Sequence, residues 1–237
     1  MPGRSEIFQR TYPLMGSAGM ERLGGLRVLV AGVGGVGSWC AEALARSGVG
    51  HITLLDDDRV AVSNINRQLP ATTATVGQPK VEVMASRLRE INPEIDCRPL
   101  MERYTPETAD RFDPDSYDYV IDAIDSLQCK AALILNATAS RATLFSSMGA
   151  ARKLHPSQIA TAPFLKVTGC PLARALRTYF RRNGLMPSRP FQCVYSPERL
   201  PHREEPAEES VNGTFMHTTA IFGLTLASLV VEAEYSR

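Results

Sequence analysis

The sequence predicts an α/β protein built on a doubly wound, mostly parallel sheet with a basic, helical C-terminal extension. Three observations predict it. Apolar runs of strand length alternate with stretches of helical periodicity from Val28 to Met148. The first of these strands runs directly into a glycine-rich turn, Gly32-Val33-Gly34-Gly35-Val36-Gly37. The second strand ends in a carboxylate, Asp56, about 20 residues beyond the glycines, where a carboxylate meets ribose hydroxyls.

The elements follow in order. Residues 1 to 25 mix Arg10, Tyr12, Pro13 and several glycines, and suit a short helix or loose arm, or else a disordered leader. Val28 to Val30 is apolar and β-branched, a strand. The glycine turn follows, then a helical pattern from Ser38 to Ser47 closed by Gly48, then a second strand from His51 to Leu55. Any Cβ at the turn glycines would block the turn or hold a phosphate away from the backbone. The helix that starts there points N–H groups and its positive dipole end at an anion. This is a Rossmann-like strand–turn–helix–strand unit, and Asp56 to Pro70 becomes a loop at the carboxyl end of a strand, where open parallel sheets bind ligands.

From Gly77 to Ile91, Val81, Met84, Leu88 and Ile91 share one helical face, and Asn92-Pro93 ends the helix. Lys80 then lies in its first turn. Ile95 to Tyr104 is a weak strand. Thr105-Pro106-Glu107 has the form of an N-cap with proline at the first helical position, which predicts a further helix there. Tyr117 to Ile124 is a strand ending at Asp125-Ser126, a helix covers Leu127 to Ser140, and Thr143 to Met148 is a short apolar strand.

From Ala151 the character shifts. Up to Pro197 there are eight bases (Arg152, Lys153, Lys166, Arg174, Arg177, Arg181, Arg182 and Arg189) and no acid. Arg174, Arg177 and Arg181 recur at i, i+3 and i+7 and share one helix face. Tyr179, Phe180 and Phe191 are interleaved. A basic face beside aromatics fits an RNA backbone with stackable bases, and equally a solvated helix with acidic neighbours elsewhere in the fold. His202 to Glu209 is a charged, proline-containing loop of mobile character. Phe215 to Val231 approaches membrane-spanning length, but His217 and several Thr and Ser residues point instead to a buried C-terminal helix, on the sheet or at a dimer interface, with His217 a core or interface histidine. No membrane span is expected.

With 237 residues and 44% hydrophobic content, the chain suits one large globular unit: a Rossmann-like core over residues 1–165 and a C-terminal basic segment with an apolar helix over 166–237. The net charge of +1 says nothing for or against nucleic acid, because it averages over unlike regions. Five scattered cysteines and no signal peptide point to free thiols in a reducing cytoplasm, and the lack of a CxxC pair argues against a structural zinc.

A glycine turn alone suggests a dinucleotide-dependent dehydrogenase. Ser63-Asn64-Ile65-Asn66-Arg67-Gln68 with Lys80 argues otherwise, because a triphosphate has use for an Asn, an Arg and a Lys beyond the ribose carboxylate: they hold the outer phosphates while charge moves. Asp125, where a strand gives way to its helix at the same sheet edge, suits either Mg²⁺ held against phosphates or an N-cap. Asp122, inside the strand, suits a structural or supporting role.

The set GxGGxG at Gly32 to Gly37, Asp56, SNxNRQ at Ser63 to Gln68, Gly77-x-x-Lys80 and IDAIDS at Ile121 to Ser126 resembles the ubiquitin-activating-enzyme-like superfamily, which includes ThiF and the molybdopterin-synthase adenylyltransferases. EALARSGVGHITLLD, KVEVMASRLREINPE, VIDAIDSLQCKAALI, CPLARALR and CVYSPE are similar to the bacterial tRNA threonylcarbamoyladenosine dehydratase branch, over nearly the whole chain. The resemblance implies adenylation of the threonylcarbamoyl carboxylate on tRNA by ATP, with cyclisation and loss of AMP. It implies a nucleotide held by Gly32, Gly34, Gly35, Gly37, Asp56, Asn64, Arg67 and Lys80, with Arg67, Lys80 and Asp125 in catalysis and Mg²⁺ on Asp125. It implies a homodimer, with a sulfur-transfer or carrier protein among the partners to consider. Where relatives carry an N-terminal arginine that reaches the partner's ATP, this chain has Pro13, with Arg10 nearest. Val211-Asn212-Gly213 stands where a cysteine-bearing segment is expected, in a region shorter than in close relatives. The alternatives are an adenylyltransferase for the C-terminal glycine of a ubiquitin-like sulfur carrier, and a non-catalytic NAD-binding or scaffold protein.

Overall fold

In the computed structural model, residues 3–201 and 212–237 are described; the loop expected over His202 to Glu209 lies outside them. Seven strands form one sheet in the order β3-β2-β1-β4-β5-β7-β6. They are β1 (Arg27–Ala31), β2 (His51–Leu55), β3 (Asp96–Leu100), β4 (Tyr119–Asp122), β5 (Thr143–Ser147), β6 (Ala160–Pro163) and β7 (Gln192–Tyr195). All pairings are parallel except β6 with β7. The chain builds outward from β1 through β2 to β3, then returns to lay β4 on β1's other side. The crevice between β1 and β4 is therefore the switch point at which such sheets bind ligands, and Ala31 pairs with Asp122 at its carboxyl end.

The central strands are apolar on both faces because helices cover both. Val28 and Val30 join one core with Leu44, Ile52, Leu54, Met84 and Leu88; Leu29 and Ala31 join the other with Val120, Leu133, Leu144 and Leu176. The helices are α1 (Arg4–Ile7), α2 (Tyr12–Gly25), α3 (Gly37–Arg46), α4 (Lys80–Ile91), α5 (Leu127–Ala139), α6 (Pro171–Arg182) and α7 (Met216–Tyr235).

The N-terminal stretch is helical rather than a disordered leader. Pro13 sits in the first turn of α2, and Gly16 interrupts the helix at φ 66°. Phe8 and Leu23 are buried, and the Arg4 guanidinium donates to the carbonyl of Gly48 at 2.7 Å.

Helix α7 is long and apolar enough to cross a membrane, yet it lies along α3 with Phe222, Leu226 and Val230 fully buried. Gly223 permits this approach: a Cβ there would stand 2.3 Å from the Val36 carbonyl oxygen. Tyr119 pins the far end of α7 by donating to Glu234 Oε1 at 2.6 Å. His217 is half-buried and its Nε2 lies 3.0 Å from the Leu154 carbonyl oxygen, an anchor for the helix start.

The helix expected from Thr105 does not form. Thr105 and Thr108 bond to one another's backbone and hydroxyls instead, and one 3₁₀ turn, Ala109–Arg111, follows. Pro114 lies too close downstream for the nucleated turn to propagate. Strands β6 and β7 carry no clear sequence signal. Each is four residues long, and Pro163 ends β6 at the open sheet edge, where a missing N–H does no harm.

Candidate nucleotide site

A cleft of about 640 Å³ opens over the carboxyl ends of β1, β2 and β4. It gathers Gly32, Gly34, Gly35, Asp56, Asn64, Arg67, Lys80 and Asp125. Gly37, the first residue of α3, stands behind the turn.

The turn glycines serve different ends. Gly32 has φ 90°, and a Cβ there would lie 2.7 Å from the Ala123 carbonyl oxygen; one on Gly37 would lie 1.8 Å from the Gly32 carbonyl oxygen. A Cβ on Gly34 would meet no atom closer than 3.7 Å, so that position is small for the cleft's sake. The N–H groups of Gly34, Gly35 and Val36 have no acceptor among the described residues. Beside the positive end of α3 they form an anion cradle.

Asp56 is fixed by its neighbours: Oδ2 accepts from the Val33 N–H at 2.6 Å and Oδ1 from the Asp58 N–H at 2.9 Å. Burial pushes its carboxyl above the ordinary aspartate value, and Lys80 with those two donors offsets only part of the rise. Lys80 is buried, with Nζ 2.7 Å from Asp58 Oδ2. Asp58 is mostly exposed, so this lysine has a partner that a phosphate can replace. The carboxylates of Asp56, Asp57 and Asp58 also lie within 4.8 Å of one another, but Asp56 and Asp58 are already engaged.

The loop after β2 forms a 3₁₀ turn, Val62–Asn64, in which Asn64 Oδ1 accepts from the Ala61 N–H. The Arg67 guanidinium rests on the Ser63 carbonyl at 2.8 Å and Asn66 Oδ1 at 2.9 Å. Asp125 is exposed at the cleft floor and has no hydrogen bond or ion pair among the described residues. It does not cap α5, whose N-cap is Ser126. A free carboxylate beside a phosphate cradle offers the hard oxygen ligand that Mg²⁺ takes.

Several supporting residues have little sequence signal. Ser38 Oγ donates to the Gly34 carbonyl at 2.6 Å and accepts from the Leu69 N–H at 3.3 Å. The one tryptophan, Trp39, donates its indole N–H to the Arg67 carbonyl at 3.2 Å. Together they stitch the first turn of α3 to the 63–69 loop. Below Asp125, Asp122 and Lys130 form an ion pair at 2.8 Å with both side chains fully buried. In the sequence this pair leaves only an aspartate inside a strand and a lone lysine in the apolar run LQCKAALIL.

The basic helix is less uniform than its spacing suggests. Arg174 and Arg181 are exposed on α6. Arg177 instead donates to the carbonyls of Phe164 and Val167 at 3.2 and 3.1 Å, and lies over the Phe164 ring. Phe180 and Phe191 are not available to stack on bases: both are buried around Phe164, with Phe164 and Phe191 stacked at 5.0 Å between centroids. Their spacing served the core.

The ThiF family model matches residues 8–233. The tRNA threonylcarbamoyladenosine dehydratase of Bacillus subtilis is 44% identical over 191 residues, 81% of this chain and 74% of that protein. Crystal structures of the E. coli tRNA N6-threonylcarbamoyladenosine dehydratase superpose over 98% of this chain and 95% of theirs. The complex with AMP gives a TM-score of 0.90 at 36% identity, and the complex with ATP 0.89 at 35%.

Proposed function

This chain belongs to the ThiF family, and on that footing we propose that it dehydrates threonylcarbamoyladenosine in tRNA, using ATP to form an acyl-adenylate. One observation carries the reading: an anion cradle, a ribose-side carboxylate, two phosphate-reaching cations and a free carboxylate converge on a single cleft.

Asp56 takes the ribose hydroxyls, and the N–H groups of Gly34, Gly35 and Val36 take phosphate oxygens. Asn64, Arg67 and Lys80 hold the outer phosphates, Lys80 exchanging Asp58 for phosphate. Asp125 would hold Mg²⁺, which would supply further charge neutralisation at the phosphates. The substrate carboxylate oxygen attacks the α-phosphorus, the bond to the bridging oxygen of pyrophosphate breaks, and Arg67 and Lys80 offset the charge that departs with it. A carboxylate is a poor electrophile, and AMP turns it into an acyl group with a good leaving group. The modification's own ureido group then attacks the acyl carbon, loses its proton and expels AMP, so the net change is loss of one water. The attacker belongs to the same molecule, and proximity replaces a second substrate.

We assign the adenylation core to residues 1–165 and the C-terminal basic segment with its apolar helix to 166–237, in the same globular unit; exposed Arg174 and Arg181 there suit a phosphate backbone. Exposed Val62, Ile65, Phe215 and Met216 flank cleft residues Asn64 and Thr214, and Asn66 ties the two segments by donating to the Thr214 carbonyl at 3.2 Å. This apolar rim supports a homodimer. The reading places the enzyme in the cytoplasm with its tRNA. Arg67→Ala and Asp125→Ala each abolish tRNA-dependent AMP release while leaving the melting temperature near wild type. Retained turnover in either variant would remove that residue from the site.

A further inference from the structure

We infer that Asp122, Lys130 and Ser146 form a buried clamp that positions Asp125 over the phosphate turn. The inference rests on the reading of Asp125 as the Mg²⁺-holding carboxylate.

The clamp closes on one residue. Asp122 ends β4, in register with Ala31 of β1 and Ser146 of β5. Its Oδ2 accepts from Ser146 Oγ at 2.6 Å and lies 2.8 Å from Lys130 Nζ. Its Oδ1 accepts from the Ile124 N–H at 3.2 Å, and Lys130 Nζ donates to the Ile124 carbonyl at 2.9 Å. Both polar groups of Ile124, the residue immediately before Asp125, are thus held by the two members of one ion pair. The preceding Ala123 carbonyl is pressed onto Gly32, where only a glycine leaves it room. The clamp and Gly32 together set the distance between the phosphate turn and the carboxylate beside it.

Stability alone does not account for this arrangement. A fully buried ion pair loses solvation that its mutual attraction barely recovers, and an apolar pair of similar volume is often as stable or more so. What an apolar pair cannot do is hold the N–H and the carbonyl of one chosen peptide. Asp122 and Lys130 are positioning residues: they touch neither nucleotide nor acceptor, and act through Asp125.

The test compares Lys130→Met, Asp122→Asn, the double variant, and Ser146→Ala with wild type. For each, the melting temperature is read together with ATP affinity by calorimetry, in Mg²⁺ and in EDTA. The single changes at Lys130 and Asp122 lower the melting temperature because each leaves a buried group uncompensated. The double variant recovers most of that loss, yet binds ATP about 10-fold more weakly than wild type in Mg²⁺ and equally well in EDTA. A double variant with recovered melting temperature and wild-type affinity in Mg²⁺ overturns the clamp. If the double variant does not fold, Ser146→Ala decides: a selective loss of Mg²⁺-dependent affinity supports the clamp, and unchanged affinity overturns it. A wild-type protein whose ATP affinity ignores Mg²⁺ removes the assignment of Asp125 itself, and is thereby distinguished from failure of the clamp alone.

Discussion

Gly34 and Gly37 lie in the same turn, three residues apart, and substituting alanine at each should have opposite consequences. At Gly37 the new Cβ would sit 1.8 Å from the Gly32 carbonyl oxygen. That oxygen is backbone, held at the end of β1, so the turn and the start of α3 must part by more than an ångström. Overpacking by one carbon costs about 1–3 kcal/mol where neighbours can give; against fixed backbone we expect the upper end, about 3 kcal/mol, which lowers the melting temperature of a chain this size by roughly 6–12 °C. At Gly34 the new methyl group meets the Gln68 amide no closer than 3.7 Å, and the backbone is not in the left-handed region. Stability should change by no more than about 0.5 kcal/mol. The methyl points into the cleft, however, and holds a phosphate away from the cradle. Losing one charge-assisted hydrogen bond costs about 1.5–3 kcal/mol, or roughly 10- to 150-fold in affinity. Thermal unfolding and ATP titration on the two purified variants read both quantities. Gly34→Ala binding ATP as wild type does, or Gly37→Ala melting with wild type, would refute this division of labour.

Further expectations follow from the same geometry. Trp39→Phe removes the indole donor to the Arg67 carbonyl and should weaken ATP binding by about 1 kcal/mol, with little change in melting temperature; in wild type, this single indole should report ATP binding as a change in fluorescence, and a silent indole would disconnect it from the loop. Arg174→Ala with Arg181→Ala should weaken tRNA binding and reduce the log–log salt slope by about one to two, whereas Arg177→Ala should instead cost about 1–2 kcal/mol of stability through the Phe164 and Val167 carbonyls; filter binding and denaturant melts separate the two. Because the folded-state pKa of Asp56 lies above its unfolded value, the folded protein holds the proton longer. Its contribution to stability therefore falls as the pH rises from about 4 through the raised value, while ATP affinity, which needs the ionised carboxylate, climbs over the same window. Both trends should vanish in Asp56→Ala, and a variant that keeps them would place the titration elsewhere.

The elements differ in how plainly the sequence encodes them. His51–Leu55 and the end of the helix at Ile91 could be read from the sequence, because a strand buried on both faces and an amphipathic helix each leave a periodic imprint, whereas the helix starts at Lys80 rather than Gly77, after the N-cap Pro79. The grouping of the cleft residues was legible for a related reason: a glycine turn, a carboxylate after the second strand and a polar loop all fall at one sheet edge once the alternation of strands and helices is seen. The segment from Thr105 was misleading because a helix start is local while propagation depends on Pro114 further on. Strands β6 and β7 are too short to show a period and take their place from pairing, β7 with β5 and β6 with β7. Phe180 and Phe191 looked like partners for bases because chain order cannot tell an aromatic that faces out from one that turns onto Phe164. Asp122 and Lys130 were invisible as a pair, since only the fold brings together a strand end and the second turn of the helix after it.

The proposed use of ATP in this cleft is to activate a carboxylate carried by tRNA. It is tested most directly by ATP consumption with and without tRNA bearing threonylcarbamoyladenosine, followed by mass analysis of the recovered nucleosides. AMP release should depend on the modified tRNA, and the modified base should be lighter by one water. ATP turnover indifferent to tRNA, or AMP transferred instead to the C-terminal glycine of a small carrier protein with the nucleoside mass unchanged, would contradict it.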